Sequence, residues 1–357
     1  MSEKISAVLI VKDEETLVGR CLRSVAGLDE AVVLDTGSED DTVARCEALG
    51  ARVRRAEPAS PFHFAEARNL ALAEVRTPWA FTIDADEVLR PGGVPKMRRA
   101  VAEGGDKAAF AVTFINHPEN DPGSRSIVTR KVKLFRKDAC EWRYRVHERL
   151  FDRASGKVLD FLPDAVGDLS DAVSVEHLPP GDKARRHGQN VELLEMCVRE
   201  SPEYTRAFRH LGQELMLAKR WEEALPYLAH YAEKTDEGPL HASEALTHVG
   251  RCLGEMGRED EALVWFGRAA EAAPDRREPL YHAALRLIKA CRLDEAVQWI
   301  ERMMAIPPKR RPNSEVDLPG VWGPEPGRML RFCQTEISRA RAAWGRAHGG
   351  QGGRSGA

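Results

Sequence analysis

The sequence predicts an α/β domain at the N-terminus, built on a mixed, Rossmann-like sheet with helices on both faces, and an all-α domain of repeated helices after it. In the N-terminal part, short Val-, Ile- and Leu-rich segments alternate with helical segments of about a dozen residues, as in βαβ units. From about residue 201 the apolar residues follow a helical period, and the pattern itself repeats along the chain.

The composition is that of a soluble globular protein with two or three domains, because 43% of the 357 residues are hydrophobic and 31% are charged. A net charge of -3 gives no sign of a nucleic-acid partner. Seven scattered cysteines without a CxxC pair favour free thiols over structural zinc. The first apolar run is too short for a signal peptide or transmembrane segment. We therefore expect a cytoplasmic protein.

The first half of the chain supplies the elements of the sheet in order. Ser38 and Asp41 have the spacing of a capping box, and Gly50 follows the helix that they would begin. The last short strand before the third helix has the features of an edge strand. The expected strands are Ser6–Val11, Ala31–Leu34, Ala51–Arg55 and Trp79–Ile83, and the expected helices are Glu14–Val25, one closed by Gly50, and Phe64–Val75.

Polar clusters follow three of these strands, at 12–14, 35–38 and 84–86. The carboxyl ends of parallel strands lie along one edge, where open α/β sheets bind ligands. Asp84 and Asp86 are hard oxygen ligands suited to Mg²⁺ or Mn²⁺, and such ions suit a diphosphate. Helix capping is the alternative explanation for acids after strands. We accept it for Ser38, Asp40 and Asp41 but not for Asp35 or the Asp84/Asp86 pair.

No GxGxxG or GxxxxGK[ST] motif is present, which removes the main support for dinucleotide and P-loop sites. Instead, the ordered segments AVLIVKDEE, VVLDTGSEDDT, FAEARNLAL and FTIDADE resemble family 2 glycosyltransferases with the GT-A fold, over about the first 180 residues. The resemblance implies a nucleotide-sugar donor, with a UDP-sugar expected, a divalent Mn²⁺ or Mg²⁺ cofactor, and inversion at the anomeric carbon.

The same resemblance implies roles for individual residues. Asp35 would contact the nucleobase, Asp84 the ribose, and Asp86 of the DxD motif the metal. The family commonly has Asn where this chain has Asp13. The full donor-nucleotide set that we expect is Val11, Asp13, Glu14, Asp35, Arg68, Asn69, Asp84, Ala85 and Arg130.

Arg130 belongs to IVTRKVKLFR, Ile127–Arg136, whose alternation predicts a strand with one buried and one cationic face. A charge-protected, solvated edge strand is the alternative, which we prefer for Lys137, while Arg130 stays open as a phosphate contact. The polar loop HPENDPGSRS before this strand could cover an acceptor site.

The segment EWRYRVHERL, Glu141–Leu150, contains a single His-Glu pair, which is not a zinc-protease motif. It resembles the W-x-x-x-VHE segment of family 2 enzymes that carry tetratricopeptide (TPR) repeats. An inverting transfer needs a general base beside the acceptor hydroxyl or thiol. Glu148 is the candidate base, and His147 a candidate neighbour for metal or phosphate. A buried structural His–Glu pair is the alternative.

The strand VSVEHL places His177 like the late metal-ligating histidine of many GT-A enzymes, although a lone histidine after a strand is more often structural. The basic run that follows resembles a segment of the same TPR-bearing subset. It could face the diphosphate or simply begin a solvated helix; its residues are Lys183, Arg185, Arg186 and His187.

In the second half, Gly212, Gly250 and Ala284 are equivalent positions spaced 38 and 34 residues apart. A helix–turn–helix period of 34 residues is the TPR signature. Small residues there would let paired helices approach closely while large ones fill the gap. The predicted domains are 1–180 (GT-A), 181–200 (connecting helix), 201–309 (about three TPR repeats), 310–347 (Pro/Gly loop and final helix) and 348–357 (disordered tail).

The sequence therefore predicts a metal-dependent inverting glycosyltransferase acting on a peptide, protein or glycan acceptor. The repeats could bind that acceptor, form a homodimer or brace the catalytic domain. Two alternatives remain open: a catalytically degenerate TPR scaffold that binds peptides, and a nucleotidyltransferase. The acidic loop KDEETLVG differs from the Gly-rich, basic loop usual in nucleotidyltransferases.

Overall fold

The computed structural model describes residues 3–56, 60–117, 126–178, 187–307 and 319–348. The chain divides into two compact units, Met1–Pro202 and Glu203–Ala357.

The first unit alternates strands and helices through its N-terminal part, as the sequence predicts. Its strands are β1 Ile5–Val11, β2 Glu30–Asp35, β3 Arg52–Arg55, β4 Trp79–Thr82, β5 Glu87–Leu89, β6 Ala109–Asn116, β7 Ile127–Arg136, β8 Cys140–Arg143, β9 Arg149–Asp152, β10 Val166–Asp168 and β11 Ser174–His177. Its helices are α1 Val18–Ser24, α2 Thr42–Ala48, α3 Phe64–Ala73, α4 Gly93–Glu103 and α5 His187–Glu200.

The main sheet is mixed, in agreement with the predicted fold class. Its order is β3-β2-β1-β4-β7-β6-β11-β5, with β10 also paired to β6. The first four strands are mutually parallel, β7 is antiparallel to both its neighbours, and β11 is parallel to β6. Strand β3 is at an edge, as expected, and β8 and β9 form a separate hairpin.

Helices cover both faces of this sheet. Cys21 of α1 and Met97 of α4 pack with Leu9 and Phe81 in one apolar cluster. On the opposite face, Leu72 of α3 packs with alternate residues of the same strands, such as Val8 and Ala80. The alternation of side chains along buried strands therefore gives the sheet two apolar faces.

Two helix starts differ from the prediction. Helix α1 begins at Val18 rather than Glu14, because residues 14–17 form a turn in which the Val18 amide bonds to the Glu14 carbonyl. The predicted Ser38 cap is wrong, since α2 begins at Thr42. The Ser38 hydroxyl instead accepts a hydrogen bond from the Asp13 amide, and Asp40 accepts one from the Thr42 amide.

Strand β7 corrects two further expectations. It is not an edge strand, because it lies between β4 and β6. Its cations also occupy both faces: Arg130 pairs with Asp168, whereas Lys131 lies over the Phe114 ring and Lys133 pairs with Glu87. The pairing of β6 with β7 has an irregularity: Phe110 pairs with Leu134, and the next residue, Ala111, pairs with Val132. Lys133 lies between these two positions and has no register partner on β6.

Four predicted features lie wholly or partly outside the described residues. These are residues 118–125 of the loop HPENDPGSRS, residues 183–186 of the basic run, residues 310–318 of the Pro/Gly loop and residues 349–357 of the predicted disordered tail.

The second unit consists of helical hairpins of the TPR type followed by a long final helix. Its helices are α6 Thr205–Leu217, α7 Trp221–Lys234, α8 Pro239–Glu255, α9 Glu259–Ala272, α10 Glu278–Lys289, α11 Leu293–Ala305 and α12 Glu325–His348. A Cβ added at Gly212 would lie 2.5 Å from Leu228, and one at Gly250 would lie 2.7 Å from Phe266. The expected small-against-large packing is therefore present in both pairs.

All seven cysteines are free thiols, and all but Cys291 are buried. Among the helices that the structure describes, none combines the length and apolar character needed to cross a membrane.

Candidate active site

The carboxyl ends of β1, β2 and β4 lie side by side, and hydrogen bonds tie the loops that follow the first two strands. The Thr36 amide and hydroxyl both bond to the Val11 carbonyl. The Asp13 carboxylate accepts from the Glu39 amide at 2.8 Å, and Asp13 itself has a φ of 54°. These contacts give Val11 and Asp13 a structural role in shaping this edge.

The edge is also fixed by Asp35 and Glu14. The Asp35 carboxylate is 1% exposed and accepts a hydrogen bond from the Ser38 amide at 3.1 Å. The Glu14 amide bonds to the Thr42 hydroxyl at 2.7 Å. Ala85 is buried between the two acids of the DxD motif. The residues after β1 and β2 that are predicted to bind the donor nucleotide thus lie close together.

Arg68 of α3 links the DxD motif to the predicted base. Its Nε donates to Glu148 Oε1 at 2.5 Å, and its Nη2 donates to Asp84 Oδ1 at 3.1 Å. Its guanidinium also lies 5.1 Å from the centre of the Trp142 ring. Three segments that are far apart in sequence, α3, the β4 exit and the loop before β9, meet at this one side chain.

The charges of this cluster shift the pKa of its members. Burial alone would raise the pKa of Asp84, but the Arg68 charge, followed by that of Lys133, holds it at about 2. Burial would lower the pKa of Arg68, but Asp84 and Glu148 raise it above its ordinary value. At neutral pH Asp84 is therefore an ionised acceptor and Arg68 a permanent cation.

The second acid of the motif, Asp86, faces the predicted late histidine. His177 Nε2 lies 3.1 Å from Asp86 Oδ2, and His177 Nδ1 lies 2.7 Å from Asn116 Oδ1. Both ring nitrogens thus face oxygen atoms that only accept hydrogen bonds.

This donor set fits a divalent cation. A carboxylate oxygen suits Mg²⁺ and Mn²⁺, and an imidazole nitrogen favours Mn²⁺ of the two. No group of three or more acidic, His or Cys side chains with metal-site geometry occurs in the described parts of the chain. Asp86 and His177 would therefore hold such an ion together with substrate oxygens and water, which is usual for Mg²⁺.

Lys131 and Lys133, which the sequence did not single out, are close enough to the DxD motif for their charges to lower the pKa of Asp84. Lys131 Nζ lies 3.5 Å from the centre of the Phe114 ring, and its charge helps to lower the pKa of Asp84. Lys133 Nζ bonds to the buried Glu87 carboxylate at 2.5 Å. The alternation in KVK was visible, but the sequence did not indicate which face of β7 meets the DxD motif.

Three other predicted residues have different surroundings. Arg130 points to the face opposite Lys131 and pairs with Asp168 at 3.4 Å. The Asn69 side chain bonds both the carbonyl and the amide of Trp142, and so fastens β8 to α3. His147 is exposed, with a φ of 53° in the turn between β8 and β9. The partners of Arg130 and Asn69 are thus residues other than the DxD carboxylates.

A cavity of about 580 Å³ opens between α3 and β8, beside the Arg68 cluster. Its size is within the range of ligand pockets. It is lined by His63, Ala65, Glu66, Asn69, Leu70, Trp142, Arg143 and Tyr144.

Comparison with known proteins relates this chain to glycosyltransferases and to a TPR repeat-containing protein. Residues 6–161 match the family model described as glycosyl transferase family 2. An uncharacterized glycosyltransferase of Rickettsia conorii is 41% identical over 91 residues, which are 25% of this chain and 31% of that protein. A TPR repeat-containing protein of Synechococcus elongatus is 42% identical over 87 residues, 24% of this chain and 21% of that protein.

A longer alignment joins this chain to the SPbeta prophage-derived glycosyltransferase SunS of Bacillus subtilis. The two are 24% identical over 231 residues, which are 63% of this chain and 52% of SunS. This chain thus covers between 21% and 52% of the length of these three relatives.

Proposed function

We propose, for a chain that carries a glycosyl transferase family 2 domain over residues 6–161, that it transfers a sugar from a nucleotide-sugar donor with inversion and with the help of Mn²⁺ or Mg²⁺. The observation that carries the proposal is the division of labour within the DxD motif. Asp84 faces the Arg68 cation, whereas Asp86 faces the His177 imidazole. The two acids thus have different partners and different tasks.

For the donor, we assign the nucleobase side to Asp35 and the ribose hydroxyls to Asp84. Asp84 suits this task because its low pKa keeps it an acceptor at all physiological pH values. Lys131 of β7, on the same face of the sheet as Phe114 of β6, would attract the diphosphate. A bound divalent ion would stabilise the charge that develops on the departing diphosphate.

For the acceptor, we assign the general base to Glu148. Its carboxylate is close to the donor-binding acid, because both are bound by the same Arg68 guanidinium. A base must lie within hydrogen-bond reach of the acceptor proton, so Glu148 has to exchange or share its Arg68 contact when the acceptor binds. The acceptor is a peptide, a protein or a glycan, and the TPR unit is a candidate surface for it.

A donor screen with UDP-, GDP- and dTDP-sugars tests the proposal. We expect metal-dependent binding by calorimetry and slow release of the nucleoside diphosphate from one donor. Absence of any nucleotide uptake with Mn²⁺ would favour the degenerate scaffold. Release of diphosphate from a nucleoside triphosphate, with no release of nucleoside diphosphate from nucleotide sugars, would favour the nucleotidyltransferase.

A further inference from the structure

We propose that Asn116 is a positioning residue for the metal site: it holds the His177 imidazole with Nε2 turned to the ion that Asp86 binds. The inference rests on the proposed function, because it concerns the same metal. It assigns a task to a side chain that the sequence did not single out.

The sheet places the two side chains next to each other. Strands β6 and β11 are parallel and in register, with Asn116 opposite His177 and Phe114 opposite Val175. Strand β5 pairs with the other side of β11, and its Glu87 is opposite His177. His177 is thus held by a strand on each side, and its backbone leaves the ring little freedom to move away from Asn116.

The ring itself has two further restraints. Phe114 stacks against it, with ring centres 5.8 Å apart and planes inclined by 26°. Asn116 Oδ1 lies 2.7 Å from Nδ1, which fixes the rotation of the ring about its Cβ–Cγ bond. Together, Phe114 and Asn116 leave Nε2 directed toward Asp86, at 3.1 Å.

The hydrogen bond between Asn116 and His177 determines which nitrogen of the imidazole can bind the metal. A metal-bound Nε2 has no hydrogen, so the imidazole proton must lie on Nδ1. An amide oxygen accepts a hydrogen bond from Nδ1–H, which fixes that tautomer and makes the ring a better ligand. Removal of such partners typically weakens metal binding by about 10- to 100-fold.

The experiment measures Mn²⁺ affinity in the presence of UDP, by electron paramagnetic resonance of the free ion, with the full chain. We expect Asn116→Leu to weaken Mn²⁺ binding by about 10-fold or more. Asn116→Asp keeps an acceptor for Nδ1–H and should restore affinity to at least the wild-type value. Thr113→Val is the matched control, because Thr113 is on the same strand but bonds to the Ser170 carbonyl.

A double-mutant cycle separates positioning from general damage to the strand. If Asn116 acts through His177, then Asn116→Leu has no further effect on Mn²⁺ affinity in a His177→Ala background. Additive losses, or equal affinity of wild type and Asn116→Leu, would overturn the inference and leave the proposed function intact. A wild-type protein that takes up no Mn²⁺ with UDP would overturn both.

Discussion

The Arg68 guanidinium holds the Glu148 carboxylate at 2.5 Å, so the candidate base is ion-paired in this state of the protein. The same guanidinium bonds to Asp84, the proposed ribose ligand. The proposed donor and acceptor sites therefore share a side chain. The ion pair also means that Glu148 has a structural contact that must be separated from any role in proton transfer.

Glu148→Gln makes this separation, because a glutamine oxygen can still accept from Arg68 but cannot take a proton. We expect UDP binding to be kept and sugar transfer to fall by about 100-fold or more. Glu141→Gln is the control, since Glu141 lies on the same hairpin and pairs with Arg153 at the surface. Unchanged transfer would make Glu148 a purely structural partner of Arg68.

Asp86→Ala should abolish Mn²⁺-dependent release of UDP from the donor, because it removes one of the two protein ligands that we propose for the ion. The fold should persist, since the Asp86 side chain is at the sheet edge and 17% exposed. Circular dichroism checks that the fold persists, and Mn²⁺ titration checks that the ion is no longer bound. Asp168→Ala removes an exposed acid elsewhere and should leave both unchanged. Full activity in Asp86→Ala would refute the metal assignment.

Lys133→Met should destabilise the first unit, because it leaves the Glu87 carboxylate buried without its cation. The two side chains are only 8% and 4% exposed. Breaking a buried pair in this way costs about 3–5 kcal/mol. The double variant Lys133→Met/Glu87→Gln should recover most of that loss in urea unfolding. Recovery of none of it would show that the lysine acts through packing alone.

The same pair predicts a pH dependence with a definite sign. Burial is the largest influence on Glu87 and raises its pKa above the ordinary 4.5, even with Lys133 present. The Glu87 carboxylate therefore binds a proton more tightly in the folded state than in the unfolded state. Stability falls as the pH rises from the pKa of Glu87 in the unfolded state through its higher pKa in the folded state. Lys133→Met raises that pKa further. Its deficit in the free energy of unfolding should therefore be larger at pH 8 than at pH 5.

Gly250→Ala tests the helix packing of the second unit. The added Cβ would lie 2.7 Å from the Phe266 ring, which is fully buried, so we expect a loss of about 1–3 kcal/mol. Gly267→Ala is the matched control on α9, since no atom lies within 4 Å of its added Cβ. That change should stabilise the helix by about 0.5–1 kcal/mol. Equal effects in urea unfolding would contradict the close approach.

The sequence predicted those features that depend on neighbours in the chain. Strands β1, β2 and β4 and the pairing of Gly250 with a large residue follow from local apolar patterns and the repeat. The interior position of β7 did not, because its partners β4 and β6 are chosen by long-range pairing. The sequence led us to include Arg130 rather than Lys131 in the donor-nucleotide set, for a related reason. Alternation gives a strand two faces, and only the assembled sheet decides which face meets the DxD motif.

The order of the strands also bears on how the protein matures during translation. Asp86 and His177 are 91 residues apart, and the strand that carries the histidine joins the sheet through β6 and β5. A nascent chain on the ribosome thus contains the acids of the DxD motif well before it contains the histidine that we propose as the nitrogen ligand. The proposed metal site can be complete only after β11 has been synthesised, so shortened translation products that end before His177 would contain the motif without the second proposed ligand.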